Sequence, residues 1–316
     1  MSGLVVFTGG TGGAKLVQGL RRLVAPEDLT VVVNTGDDFV WWGLHVSPDI
    51  DSVLYVLSAL LSTDRGWGVE GDSFRCLERM KQLGEPAWFS LGDVDLATHL
   101  TRTEMLRSGK TLTEATAELA ARMGLRTRVL PMSDDPVSTI LHTEIGVLNF
   151  QEYFVRERHS VRVDAVEFAG AELARPAPEL LEAIHAADVI IFAPSNPVTS
   201  IGPILAVPGI REALRKAPAP VAAVSPMIGD AAVSGPAAVL MRMKGWPSTI
   251  AGIAQAYEEF LDVLIVDSAD ERAANSLRSA NLRVTCGKTL MRSLDDKIEL
   301  ARLVLDSTAK VEHQRA

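Results

Sequence analysis

Phosphate is commonly held by backbone amides, and an early segment of this chain suits that task. Gly9-Gly10-Thr11-Gly12-Gly13-Ala14-Lys15 follows an apolar run at 4–8. Gly10, Gly12 and Gly13 carry no Cβ, so backbone can come close to an anion. A helix after them directs free N–H groups outward, with Thr11 and Lys15 alongside. The Gly-Lys-Ser/Thr ending of a Walker loop is missing, and Lys15 stands where a dinucleotide fingerprint has its third glycine. A ligand-free turn between strand and helix is the alternative. A second polar loop, Asn34-Thr35-Gly36-Asp37-Asp38, ends the apolar run 30–34. Asn34 occupies a tip where a dinucleotide enzyme often has an acid for ribose; Asp37 and Asp38 read either as a functional pair or as a solvated turn. In Ser47-Pro48-Asp49-Ile50-Asp51 two acids lie two residues apart. In extended backbone both carboxylates point one way, which suits a hard cation such as Mg²⁺; helix capping by Asp49 or Asp51 is the competing reading. In the loop 193–203, Pro194 and Pro197 restrict the backbone while Ser195 and Asn196 offer partners to a base, ribose or phosphate. Segments 131–139 and 225–236 have a similar polar density.

Other candidates are weaker. His99 and Arg102, one helical turn apart near Asp93 and Asp95, could face an acidic ligand or sit on a helix surface. His45, His142, His159 and His185 lack zinc-type spacing, and no nucleophile elbow or Cys/His arrangement supports acyl transfer. Trp41 and Trp42 beside Gly43 could stack on an aromatic ligand or fill a core.

These loops need a scaffold that gathers them. Apolar runs at 4–8, 30–34, 126–131, 189–193, 221–225, 263–267 and 283–285 predict strands of a largely parallel sheet. Helical spacing predicts helices at 14–24, 51–61, 73–83, 93–107, 111–123, 177–187 and 291–305, with Thr111 and Glu114 as capping residues. Segments 137–142 and 146–154 predict an antiparallel pair, with a further strand at 161–168; the tail 308–316 is expected to fray. The expected fold is α/β: one Rossmann-like, doubly wound domain over residues 1–316, with a helical insertion at about 51–124 and a small antiparallel β excursion at about 137–169. In such sheets ligands bind where strand order reverses, beyond the strands' carboxyl ends.

The 316 residues are 47% hydrophobic and 22% charged, enough for a substantial core. A formal charge of −9 argues against a nucleic-acid surface, so any anion site must be made locally. No basic leader precedes the first strand, and Pro194, Pro197, Pro203 and Pro208 interrupt the longest apolar stretch. No signal peptide or membrane span is expected, and the expected location is cytoplasmic. Cys76 and Cys286 read as incidental thiols.

The opening motif, Val33-Asn-Thr-Gly-Asp-Asp38, Ser47-Pro-Asp-Ile-Asp51, Leu91-Gly-Asp-Val-Asp95 through His99, Leu130-Pro-Met-Ser-Asp-Asp-Pro136, Pro194-Ser-Asn-Pro197 and Val224-Ser-Pro-Met-Ile-Gly229 occur in one order. In that order the chain resembles the 2-phospho-L-lactate transferase family (CofD, called FbiA in actinobacteria) of coenzyme F420 biosynthesis, over nearly its whole length. The resemblance implies a Mg²⁺-dependent enzyme on a Rossmann-like core, usually a homodimer. It implies that the ribityl 5′-hydroxyl of the deazaflavin FO attacks the phosphate carrying a three-carbon acid (phospholactate, phosphoenolpyruvate or phosphoglycerate) on a guanosine diphosphate conjugate, and GMP leaves. Gly10–Gly13 would hold donor phosphates, Asp49 and Asp51 would face the metal, and Ser195 and Asn196 would fix the guanosine diphosphate. Asn34, Asp93 and His99 join the expected substrate contacts. Such transfer needs positioning and charge neutralisation more than a reactive side chain; Asp51 or Asp37 could take the hydroxyl proton as a modest base. Two other classes remain: a non-enzymatic nucleotide-sugar-binding regulator resembling the YvcK type, and an NAD-linked oxidoreductase, against which Lys15 and Asn34 speak.

Overall fold

A computed structural model describes residues 3–309 and 311; residues 310 and 312–316, most of the tail expected to fray, lie outside the described residues. The chain begins β1 (Leu4–Thr8), α1 (Thr11–Leu20), β2 (Leu29–Val33), β3 (Phe39–Trp41), β4 (Leu44–Val46). Helices α2 (Pro48–Leu57), α3 (Arg75–Gln82), α4 (Asp95–Arg107) and α5 (Leu112–Arg122) lead to β5 (Arg128–Pro131), β6 (Ser138–Thr143), β7 (Gly146–Asn149) and β8 (Val163–Ala169). Then come α6 (Leu180–Ala186), β9 (Val189–Phe192), α7 (Ile201–Ala206), α8 (Ile210–Lys216), β10 (Val221–Val224), β11 (Met227–Ile228), β12 (Ala231–Ala232), α9 (Ala237–Met243) and α10 (Ile250–Ala256). The last elements are β13 (Val263–Asp267), α11 (Glu271–Leu277), β14 (Arg283–Gly287) and α12 (Leu294–Thr308).

Seven strands form a parallel sheet in the order β14-β13-β10-β9-β1-β2-β5. Alternate residues of each strand feed opposite cores, which is why the strands read as continuous apolar runs. Leu4 and Val6 of β1 face the layer of α1, α2, α5 and α12, whereas Val5 and Phe7 face that of α6 to α11. Each such side chain contributes roughly 1.5–3 kcal/mol on burial. Phe7 stacks on Phe192 at 5.0 Å, tying β1 to β9 where the strand order reverses.

The doubly wound α/β fold is as expected, with two adjustments. Residues of α2 and α5 belong to the sheet-covering core, so the excursion beyond the layers is narrower than 51–124 and centres on α3 and α4. The β excursion is a three-stranded antiparallel sheet, β7-β6-β8, and its edge strand β7 stops at Asn149. There Asn149 and Glu152 exchange side chain-to-amide bonds of 3.0 and 2.9 Å, starting a helical turn at 152–156 where strand was expected. The Thr111–Glu114 capping box forms at the start of α5. Trp42 and Gly43, at φ 50° and 76°, make the tight turn joining β3 to β4.

Candidate active site

At the reversal point the loops after β1 and β9 touch. The amide of Gly9 donates to Ser195 Oγ at 3.2 Å, which lies 3.5 Å from Thr8 Oγ1. The glycines here are dictated by close approach: a Cβ on Gly13 would run into Thr8, and one on Gly10 into Asp49. No side chain caps α1, whose first turn is the glycine loop itself, so the helix starts at Thr11 instead of 14. Thr11 is exposed, and Lys15 lies near Lys297 of α12, whose ammonium is pushed down by burial and then by Lys15. Asn196 Oδ1 accepts from the Val198 amide at 2.9 Å, leaving its buried Nδ2 unpaired among the described residues.

Beside this loop stands a group of carboxylates. Asn34 donates from Nδ2 to Asp49 Oδ2 at 3.0 Å and accepts the Gly36 amide on Oδ1 at 2.8 Å, so one buried amide orders two loops. Burial, then the charge of Asp38, raises Asp49 to about 7, against the bonds from Asn34 and Gly10 that favour its charge. Asp37 is raised well above its ordinary value by burial first, then by Asp49. Among the described residues, Oδ1 of Asp37 and Oδ1 of Asp38 are buried without a hydrogen-bond partner.

Asp37 and Asp38 also line a cleft of about 500 Å³ at the edge of the sheet. Its walls come from the β2–β3 loop, His45 of β4, the α4–α5 connection, residues 133–140 and the end of β7, with Lys110, Val137 and Phe150 among them. The polar density at 131–139 pointed to this wall; Lys110 and Phe150 gave no local signal. Trp41 is 6% exposed and packs with Phe39, Trp88 and Phe89, the core alternative of the two readings.

Asp51 is elsewhere. Pro48 occupies the first turn of α2, where its fixed φ suits a helix, so residues 47–51 are not extended. Positions two apart on a helix diverge by about 200°. While Asp49 reaches the glycine loop, Asp51 turns to α4, where Arg102 grips both carboxylate oxygens from beneath 0% exposure. His99 fills the space between Asp51 (3.6 Å) and Asp95 (3.3 Å), and Tyr55 donates to Asp95 at 2.6 Å. Asp51 therefore shares no metal face with Asp49, and His99 sits in an ion network with Asp51, Asp95 and Arg102. Asp93 is also committed: it accepts from Ser73 Oγ and from the amides of Arg75 (3.1 Å) and Cys76 (2.9 Å), capping α3. The structure thus brings Gly10, Thr11, Gly12, Gly13, Asn34, Asp37, Asp49, Ser195 and Asn196 to one rim, and leaves Asp51, Asp93 and His99 off it.

Among the described residues no three His, Cys, Asp or Glu side chains are grouped to hold a metal alone. The rim supplies two buried carboxylates, Asp37 and Asp49, and Oδ1 of Asp37 has no hydrogen-bond partner among the described residues. That fits a hard cation that keeps several waters and takes its remaining ligands from phosphate.

The family model described as 2-phospho-L-lactate transferase CofD matches residues 4–298. A Methanosarcina mazei protein named 2-phospho-L-lactate transferase is 42% identical over 304 residues, 96% of this chain and 100% of that one. A Streptomyces griseus protein named phosphoenolpyruvate transferase is 43% identical over 314 residues, 98% of this chain and 99% of that one. A solved structure from Bacillus halodurans, of the UPF0052 family, shares the fold at TM-score 0.64 and 19% identity, covering 96% of this chain and 98% of that chain. The chain is a transferase of the α/β class. It belongs to the CofD family, whose phosphotransferase role is in coenzyme F420 biosynthesis.

Proposed function

We propose that this enzyme transfers a phosphorylated three-carbon acid from a guanosine diphosphate conjugate to the ribityl 5′-hydroxyl of FO, releasing GMP and forming (dehydro-)coenzyme F420-0. The observation that carries this reading is the position of Asp37 and Asp49. Asp49 lies against the glycine loop, where a diphosphate suits the uncapped first turn of α1. Asp37 lies on the wall of the cleft, whose apolar side chains suit a tricyclic aromatic acceptor. Donor and acceptor thus meet across two carboxylates.

In this reading Asp37 and Asp49 hold Mg²⁺, which when bound offsets the negative charge of the diphosphate under attack. The chain's own residues do the rest. Asn34 fixes Asp49 and Gly36, Ser195 fixes the loop after β1, and the amides of Thr11 to Gly13 face the donor phosphates. Phe39, Val137 and Phe150 on the cleft wall would hold the acceptor's ring system so that its hydroxyl meets the phosphorus.

Incubation with FO, Mg²⁺ and the phospholactyl, enolpyruvyl and phosphoglyceryl conjugates in competition tests this. Mass spectrometry should find GMP and one predominant phosphodiester product. Relatives of both names are similarly close, so the competition also selects the donor. No turnover with any of the three overturns the reading.

A further inference from the structure

Phosphodiester formation from an alcohol releases a proton, and the carboxylates first suited to take it are committed. Asp51 is sealed under Arg102, and Asp37 and Asp49 are assigned to the cation. One ring on the cleft wall is not committed. His45 projects from β4, with its own amide donating to Thr103 Oγ1 at 2.8 Å, and its side chain is 30% exposed. Its Nε2 is 3.1 Å from Asp38 Oδ2 and 3.1 Å from Ser47 Oγ. Ser47 spends its hydrogen on the same Asp38 oxygen, at 2.6 Å. Nε2 therefore faces acceptors only and must carry a hydrogen, which in a neutral ring leaves the lone pair on Nδ1. Among the described residues Nδ1 has no protein partner.

We infer that His45, held in this tautomer by Asp38 and Ser47, is the general base that receives the proton of the attacking hydroxyl. The inference rests on the acceptor occupying the cleft, as proposed above. The O–H bond breaks, its electron pair forms the new O–P bond, and the P–O bond to GMP breaks with its pair retained by GMP. The proton on Nδ1 then leaves to solvent on the exposed side of the ring. The arrangement is that of a base with an orienting carboxylate. The charged groups lining the cleft with the ring are Asp37 and Asp38 on the β2–β3 loop, Lys110, Asp134 and Asp135, and Arg107 of α4 donates to the Gly43 carbonyl at 3.2 Å. Arg102 acts on Asp38, favouring its charge against burial.

The test compares wild type with His45→Gln, in which an amide can still bond Asp38 but cannot act as a base. Wild-type turnover secures the transferase reading independently. H45Q should bind FO as wild type does, by deazaflavin fluorescence, with KM little changed. Its single-turnover rate at saturating Mg²⁺ should fall about 10²–10⁴-fold. Imidazole should restore part of the rate to H45A. No rescue of H45A by imidazole, with the fold and FO binding intact, overturns the inference. So does H45Q retaining its rate within a few-fold, in which case His45 only satisfies Asp38. Absence of turnover in wild type removes the transferase reading itself, and this inference with it.

Discussion

Two carboxylates leave the same helix, two residues apart, and meet opposite fates. Asp51 finds Arg102, His99 and Asp95, an ion network that offsets its charge within the protein. Asp49 finds an amide, a glycine loop and two more acids, Asp37 and Asp38, and stays electrostatically unmatched. Both sites are buried, acidic and set by α2, so neither burial nor charge distinguishes structure from function. The distinction lies in what neutralises the acid. A buried carboxylate matched by an arginine belongs to the fold, whereas one raised by burial and by neighbouring acids is a candidate for function.

The comparison can be broken hardest at Arg102. Arg102→Met leaves Asp51 buried without its partner and should cost about 3–5 kcal/mol, a large part of a domain's stability, read from the urea midpoint. R102M with Asp51→Leu should recover much of that loss, since the unpaired charge goes too. A loss in R102M no greater than that of a surface substitution would show that the network is not what holds α2 to α4. Next comes Asp49→Asn, expected to leave the fold intact and lower turnover by about 100-fold, or ~2.7 kcal/mol of transition-state stabilisation. Unchanged turnover, or a shape change large enough to unfold the protein, would put Asp49 in the same class as Asp51.

The same substitution sharpens the contrast through pH. Asp49 is raised from 3.8 to about 7 by burial and then by Asp38. Between those values the folded protein keeps a proton that the unfolded chain has released, so this group's contribution is full below pH 4 and is lost as pH rises through about 7. The stability of wild type relative to D49N should therefore fall with rising pH across that window. Saturating Mg²⁺ should flatten the fall by stabilising the ionised form. A relative stability that rises with pH would mean Asp49 is matched inside the protein after all.

Much of this was legible because the information is local. Strands buried on both faces read as unbroken apolar runs, and the glycine loop and the Ser195-Asn196 turn announce themselves by composition. The register at 47–51 was not, because Ser-Pro-Asp is compatible with extended backbone and with a helix start, and only the packing of Ile50 and Val53 against the sheet decides. That one ambiguity misplaced Asp51. Its partner Arg102 lies 51 residues away, on a helix whose surface role looked ordinary. The cleft was invisible for a similar reason: its walls are drawn from separate segments. His45 acquires meaning only when the β3–β4 turn folds it back onto Asp38.

The weakest effect tests the rule where it is hardest to see. Asp93 was expected at the substrate, yet its carboxylate accepts from the first amides of α3, while Asp72 does the same for Val94 and Asp95 at the start of α4, at 2.8 and 2.9 Å. The two acids cap each other's helices. Asp93 is lowered by the Ser73 hydroxyl and then by the Cys76 amide, so its charge, like that of Asp51, is satisfied by the protein and owes nothing to a ligand. Because it is open to solvent, its loss should cost little. Asp93→Ala should lower the melting temperature slightly and leave KM for donor and acceptor unchanged. A tenfold rise in either KM, with the fold intact, would place Asp93 at the substrate and show that internal satisfaction does not separate structural acids from functional ones.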